Sequence, residues 1–114
     1  MDTEPLNSWR SLIKKILRPL AEIPFPKHVN LKCKMVCDEP SDVYLVVCEG
    51  WEKVRRLHGI MAHIEIRGDK IWIMLDGTEY GLANELLDAG VPRDRIVLGF
   101  KSPQVRQHTG FAVA

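Results

Sequence analysis

"MAHIEIRGDKIWIML", running from Met61 to Leu75, is the stretch on which the fold turns. Two runs of alternating apolar and polar residues flank Gly68-Asp69, a pair suited to a two-residue hairpin turn. In that register Ile66 pairs with Ile71, Glu65 with Trp72, Ile64 with Ile73 and His63 with Met74. Ile64, Ile66, Ile71 and Ile73 then form one continuous apolar face, the kind that must be buried.

Working outward, "VYLVVCEGW" (Val43–Trp51) reads as a strand that is apolar on both sides. It is therefore expected to be central and covered on both faces. The polar "EKVRRLHG" leads from it into the hairpin. Before it, Val29, Leu31, Cys33, Met35 and Cys37 alternate with more polar neighbours, and "DEPSD" (Asp38–Asp42) supplies the turn. These pieces predict a four-stranded antiparallel meander.

Helices are predicted on either side. Ser8 is read as the N-cap of the first, with Trp9, Leu12, Ile13, Ile16, Leu17 and Leu20 at helical spacing. Pro19 should kink it, Pro24 and Pro26 should end it, and residues 1–7 are taken as a flexible leader. The second helix is predicted to open at Asp76, with Glu79 completing a capping box. Leu82, Ala83, Leu86 and Leu87 form its buried stripe, and Gly90, Val91 and Pro92 stop it. A basic turn (Arg93–Arg95), a strand-like Ile96–Leu98 and a helical turn begun by Ser102-Pro103 follow. The expected class is α+β, one domain over residues 1–114: helix, meander, second helix packed on the sheet, short C-terminal strand and helical turn, and a buried apolar tail.

Composition narrows the function. Sixteen Lys and Arg against fifteen Asp and Glu leave a net charge of +1, so nucleic-acid or membrane contact would need a local patch. Met1 precedes Asp2 and Glu4 without the basic and apolar regions of a signal peptide, and no apolar run approaches the ~18 residues of a membrane helix. Three cysteines without zinc-finger spacing suit a reducing cytoplasm. Cys33 and Cys37 lie ~13 Å apart along their strand, too far to share a metal, and are read as free core residues. No metal, cofactor or catalytic set is expected.

Three patterns are set aside. His63 beside Glu65 could exchange protons, but no nucleophile stands in relation to the pair. We read their face of the sheet as partly covered by a helix or a subunit. "RGD" at Arg67–Asp69 is the hairpin turn, and Gly77 and Gly81 lack phosphate-loop spacing. More informative is the C-terminal stretch. Arg93, Arg95, Lys101 and Arg106 are opposed only by Asp94 between Pro92 and Gln107, so with His108 they are candidates for contact with DNA phosphates or an acidic partner. The chain then ends on apolar Phe111-Ala112-Val113-Ala114, which should be tucked against protein. Trp72, Met74, Phe100, Phe111 and Val113 are the candidate subunit-interface residues.

"EGW" with "RR" and "HG" (Glu49–Gly59), "HIEIRGDKIWI" (His63–Ile73), "DGTEYGLANELLDAGVPRDRIVLGF" (Asp76–Phe100) and "SPQVRQHTGFAVA" (Ser102–Ala114) resemble the XisI family of fdxN-element excision-controlling factors. The likeness runs from about Trp9 to the last residue. It implies a small cytoplasmic α+β regulatory protein of cyanobacteria, working with a nuclease-fold companion, XisH, in the site-specific recombination that excises a DNA element during heterocyst development. It implies no catalytic residues. The expected partners are further copies of the chain (dimer or tetramer), a XisH-like protein, and DNA through that protein, with no membrane. The alternatives are an antitoxin-like inhibitor of a nuclease-fold partner and direct DNA binding through residues 93–106.

Overall fold

In the computed structural model, residues 4–22 and 30–114 are described. Element order is α1 (Glu4–Ala21), β1 (Asn30–Asp38), β2 (Val43–Glu52), β3 (Arg55–Arg67), β4 (Lys70–Asp76), α2 (Leu82–Asp88), a 3₁₀ turn (Arg93–Arg95), β5 (Ile96–Leu98) and α3 (Pro103–Arg106). The strands form one sheet in the order β1-β2-β3-β4-β5. The meander is thus extended to a mixed sheet of five strands, because β5 adds parallel to β4, with Ile71, Trp72 and Ile73 opposite Ile96, Val97 and Leu98.

The central hairpin forms around Gly68-Asp69, with Gly68 at φ 60° and Arg67 opposite Lys70. Ile64–Ile73, Glu65–Trp72 and Ile66–Ile71 pair as the alternation requires. The fourth pairing differs: His63 faces Leu75, because a bulge at His63/Ile64 takes Met74 out of register. An extra residue of this kind leaves the alternation on either side intact. The "EKVRRLHG" segment is not a linker. It continues the ladder from Glu52–Arg55 to Cys48–Gly59, with only Lys53-Val54 outside the pairing. Gly50 is required there, since a Cβ at that position would stand 1.7 Å from the Asn30 carbonyl oxygen.

One face of the sheet carries the core. Ile64, Ile71, Ile73, Tyr44 and Val46 are fully buried under Ile13 and Leu17 of α1 and Leu82 and Leu86 of α2. The opposite side of β2 (Val43, Leu45, Val47) is only half-buried, so the expectation of cover on both faces is not met within the chain. The first helix begins at Glu4, which places Ser8 inside it and not at its cap, and draws residues 4–7 out of the supposed leader. Pro5 is compatible with this, because a first-turn N–H has no helical partner to lose. The helix runs two residues past Pro19. Pro24, Pro26 and Val29 lie outside the described residues.

The second helix begins at Leu82, six residues later than the capping-box reading placed it. Asp76 still caps it, from a distance: Oδ2 accepts the Leu82 N–H at 2.8 Å, while Oδ1 accepts the N–H (2.9 Å) and hydroxyl (2.6 Å) of Thr78. The Gly77 N–H meanwhile bonds the Met61 carbonyl at 2.8 Å and prolongs the sheet. Gly90 at φ 96°, with Val91 N–H on the Leu86 carbonyl at 3.0 Å, closes the helix as expected.

The cysteines correct another expectation. Cys33 and Cys48 face each other across β1 and β2 and are joined in a disulfide; Cys37 is free. Spacing along one strand could exclude a Cys33–Cys37 site but carried no information on the cross-strand neighbour. No described helix is long and apolar enough to cross a membrane.

Candidate functional site

The C-terminal residues form a strap over the β4–β5 border. Ser102 accepts the Val105 N–H at 3.4 Å and starts α3. Arg106 then reaches back, giving Nε to the Lys101 carbonyl at 2.9 Å and Nη2 to that of Gly99 at 3.4 Å. Its guanidinium lies 5.1 Å from the Trp72 ring centroid, and Arg67 sits 4.7 Å from the same ring. Thr109 Oγ1 donates to the Arg106 carbonyl (2.9 Å) and accepts the Phe111 N–H (3.2 Å). Ala112 gives its N–H to the Ile96 carbonyl at 2.9 Å, and a parallel bridge joins it to Val97.

The five basic candidates do not converge on one open site. Arg93 stacks at 4.7 Å on Phe111, Arg95 pairs with Asp69, and Lys101 lies 5.4 Å over the neighbouring Phe100 ring. His108 is exposed, with its backbone N–H on the Val105 carbonyl at 3.0 Å. Lys70 and Arg95 hold the Asp69 carboxyl below the usual carboxylate range. Of the interface candidates, Trp72 and Met74 meet at Gly99, where a Cβ would come within 2.8 Å of the Met74 sulfur. Phe100 is half-exposed. The tail is divided: Phe111 packs on the chain's own core, whereas Val113 is 51% exposed and Ala114 is open to solvent.

His63 and Glu65 lie on the outer face of β3. His63 Nε2 is 2.7 Å from Glu65 Oε2, and Arg67 Nε donates to Glu65 Oε1 at 3.0 Å. Burial pushes the Glu65 carboxyl upward, but these two partners outweigh it and hold the group below its ordinary value. Both oxygens being engaged, the pair is a link in a chain of polar contacts running to the Arg67–Trp72–Arg106 stack.

A further cluster was missed in the sequence. Arg10 of α1 donates to both oxygens of Asp42, at 2.7 and 3.1 Å, and the Tyr44 hydroxyl donates to Oδ1 at 3.0 Å. Asp42 adopts φ 53°, and its carbonyl accepts the Ile66 N–H at 3.0 Å. The Arg10 hydrogen bonds lower the Asp42 pKa against the opposing effect of burial; burial and the Asp42 bond raise that of Tyr44. This cluster ties α1 to the β1–β2 turn. The only signal for it was the closing Asp of "DEPSD".

Comparison with known proteins agrees with this fold. The model of a family described as XisI protein matches residues 1–113. A solved XisI-like protein from Anabaena variabilis superposes with a TM-score of 0.87 at 31% identity, covering 96% of this chain and 99% of its own. The fdxN element excision controlling factor XisI from the same organism gives a TM-score of 0.79 at 34% identity, over 96% and 98% of the two chains. No curated protein matches.

Proposed function

The chain belongs to the XisI family, and from that premise we propose that it is a non-enzymatic accessory protein that controls excision of a DNA element by docking. Its partners in this reading are further copies of itself and a XisH-like protein, which brings it to DNA. The observation that carries the reading is the likeness over nearly the whole of both chains to a protein named as an excision controlling factor. The basic segment favours docking over direct DNA contact. Arg93, Arg95 and Arg106 are engaged with Phe111, Asp69 and Trp72, so phosphate contact would cost those contacts.

Co-expression with the XisH-like companion and an excision reporter tests this. The two proteins should co-purify, and excision should change when this chain is removed. Failure to co-purify, with excision unchanged, contradicts the reading. DNA cleavage by the companion alone, abolished on adding this chain, would move the assignment to an inhibitor. DNA retention by this chain alone that weakens steeply with salt would establish direct binding.

A further inference from the structure

The outer face of the sheet is more apolar than a solvated face. An antiparallel sheet with one wet side alternates apolar and polar residues along each strand. β1 obeys this with Lys32 and Lys34, but the outward positions of β2 run Val43, Leu45 and Val47 before Glu49 is reached. The register lines up Val36, Leu45, His63 and Leu75 in one row across four strands, with Val47 and Ile60 beside it. Val36, Ile60 and Leu75 are 42, 43 and 38% exposed. Scattered apolar residues need no explanation, whereas a contiguous patch marks an interaction surface.

We propose that a second copy of this chain packs on this outer face, sheet against sheet, with Leu45 and Val47 near the centre. The inference rests on the self-association in the reading above and names the surface that performs it. Three observations select a second copy. First, the polar group within the row, His63, already bonds Glu65 inside the chain, and the other oxygen of Glu65 takes Arg67. Lys34, in register with Val47 but on the edge strand, can carry its ammonium to the rim, so two copies can meet without sealing an unpaired charge between them. Second, a twofold axis along the strands between β2 and β3 lays β1 of one copy over β4 of the other. Val36 then faces Leu75, and the lysines of β1 are kept from one another. Third, the area suffices. Three strands about 4.8 Å apart along the ten residues of β2, with the seven residues of β4 beside them, at about 3.3 Å per residue give roughly 600 Å² of flat sheet, which side-chain relief raises toward the ~800 Å² per partner of a stable interface. The far edge of β5 is meanwhile occupied by the chain's own tail at Ala112, which leaves the face as the larger open surface.

Sedimentation equilibrium of the full chain, across a wide concentration range, tests this with three variants. The wild type should show twice the mass of the 13.0 kDa chain. Leu45→Glu and Val36→Lys should return it to a single copy with unchanged circular dichroism. Val54→Glu, at a hairpin tip that is 94% exposed, should leave it doubled. Should Leu45→Glu fail to fold, Val36→Lys on the edge strand decides. A single-copy wild type at every concentration overturns the inference and the self-association with it. A doubled mass that survives in both outer-face variants overturns only the choice of surface.

Discussion

The two faces of the sheet arise from one alternating sequence and end in different states. On the inner face Ile64, Ile71, Ile73, Tyr44 and Val46 are sealed under two helices. On the outer face the residues between them, Leu45, Val47 and His63 among them, stay half-buried. Burial under the chain's own helices supplies folding free energy to the monomer. Apolar surface left half-open contributes little to folding and keeps its driving force for association. In the proposed pairing, stability and recognition occupy opposite sides of the same strands.

The contrast is broken or sharpened by substitutions on each side, beginning with the core. Ile73→Ala should cost about 2–5 kcal/mol in denaturant unfolding, while the same truncation at Val36 should cost well under half as much. Equal losses would erase the distinction between the faces. Reduction of Cys33–Cys48, which closes a loop of 15 residues, should cost about 3 kcal/mol; melting that ignores reductant would contradict the bond.

Next comes the tie between α1 and the turn. Asp42→Asn should cost about 1–3 kcal/mol at neutral pH, since it removes a charged acceptor of Arg10. Because the folded pKa of Asp42 is lowered, its contribution is complete above the unfolded value near ~4 and is lost as pH falls through the folded one. The variant's stability should accordingly fall less than the wild type's on acidification below about pH 4. Parallel acid limbs would refute the pairing. Smaller again, deleting Gly110–Ala114 should cost about 1.5 kcal/mol through loss of the part-covered Phe111 ring. It should leave the assembled mass unchanged, because the tail lies on its own β5 and not on the outer face. A fall in mass would move the interface to the tail.

The sequence made the hairpin legible because turn chemistry and period agreed over Met61–Leu75. It also disclosed the stripe of each helix and the stop at Gly90. What escaped it depended on contacts between distant segments. The bulge that displaces Met74 leaves both flanking alternations intact. The Cys33–Cys48 bond depends on the relative register of two strands. Asp76 caps α2 through a six-residue reach that imitates a capping box at the wrong place. The positive charges of residues 93–106 were plain, but their partners Asp69, Trp72 and Phe111 are brought to them only when β5 adds to β4 and the tail to β5. The greasy terminus was half understood: Phe111 packs inward, and Val113 does not.

The most direct measurement of the central claim is the melting temperature of the wild-type chain at two concentrations about a hundredfold apart. A protein whose folded state is held in pairs melts higher when concentrated, by mass action. The account predicts such a rise, and its disappearance in Leu45→Glu. An unchanged melting temperature in the wild type would contradict it.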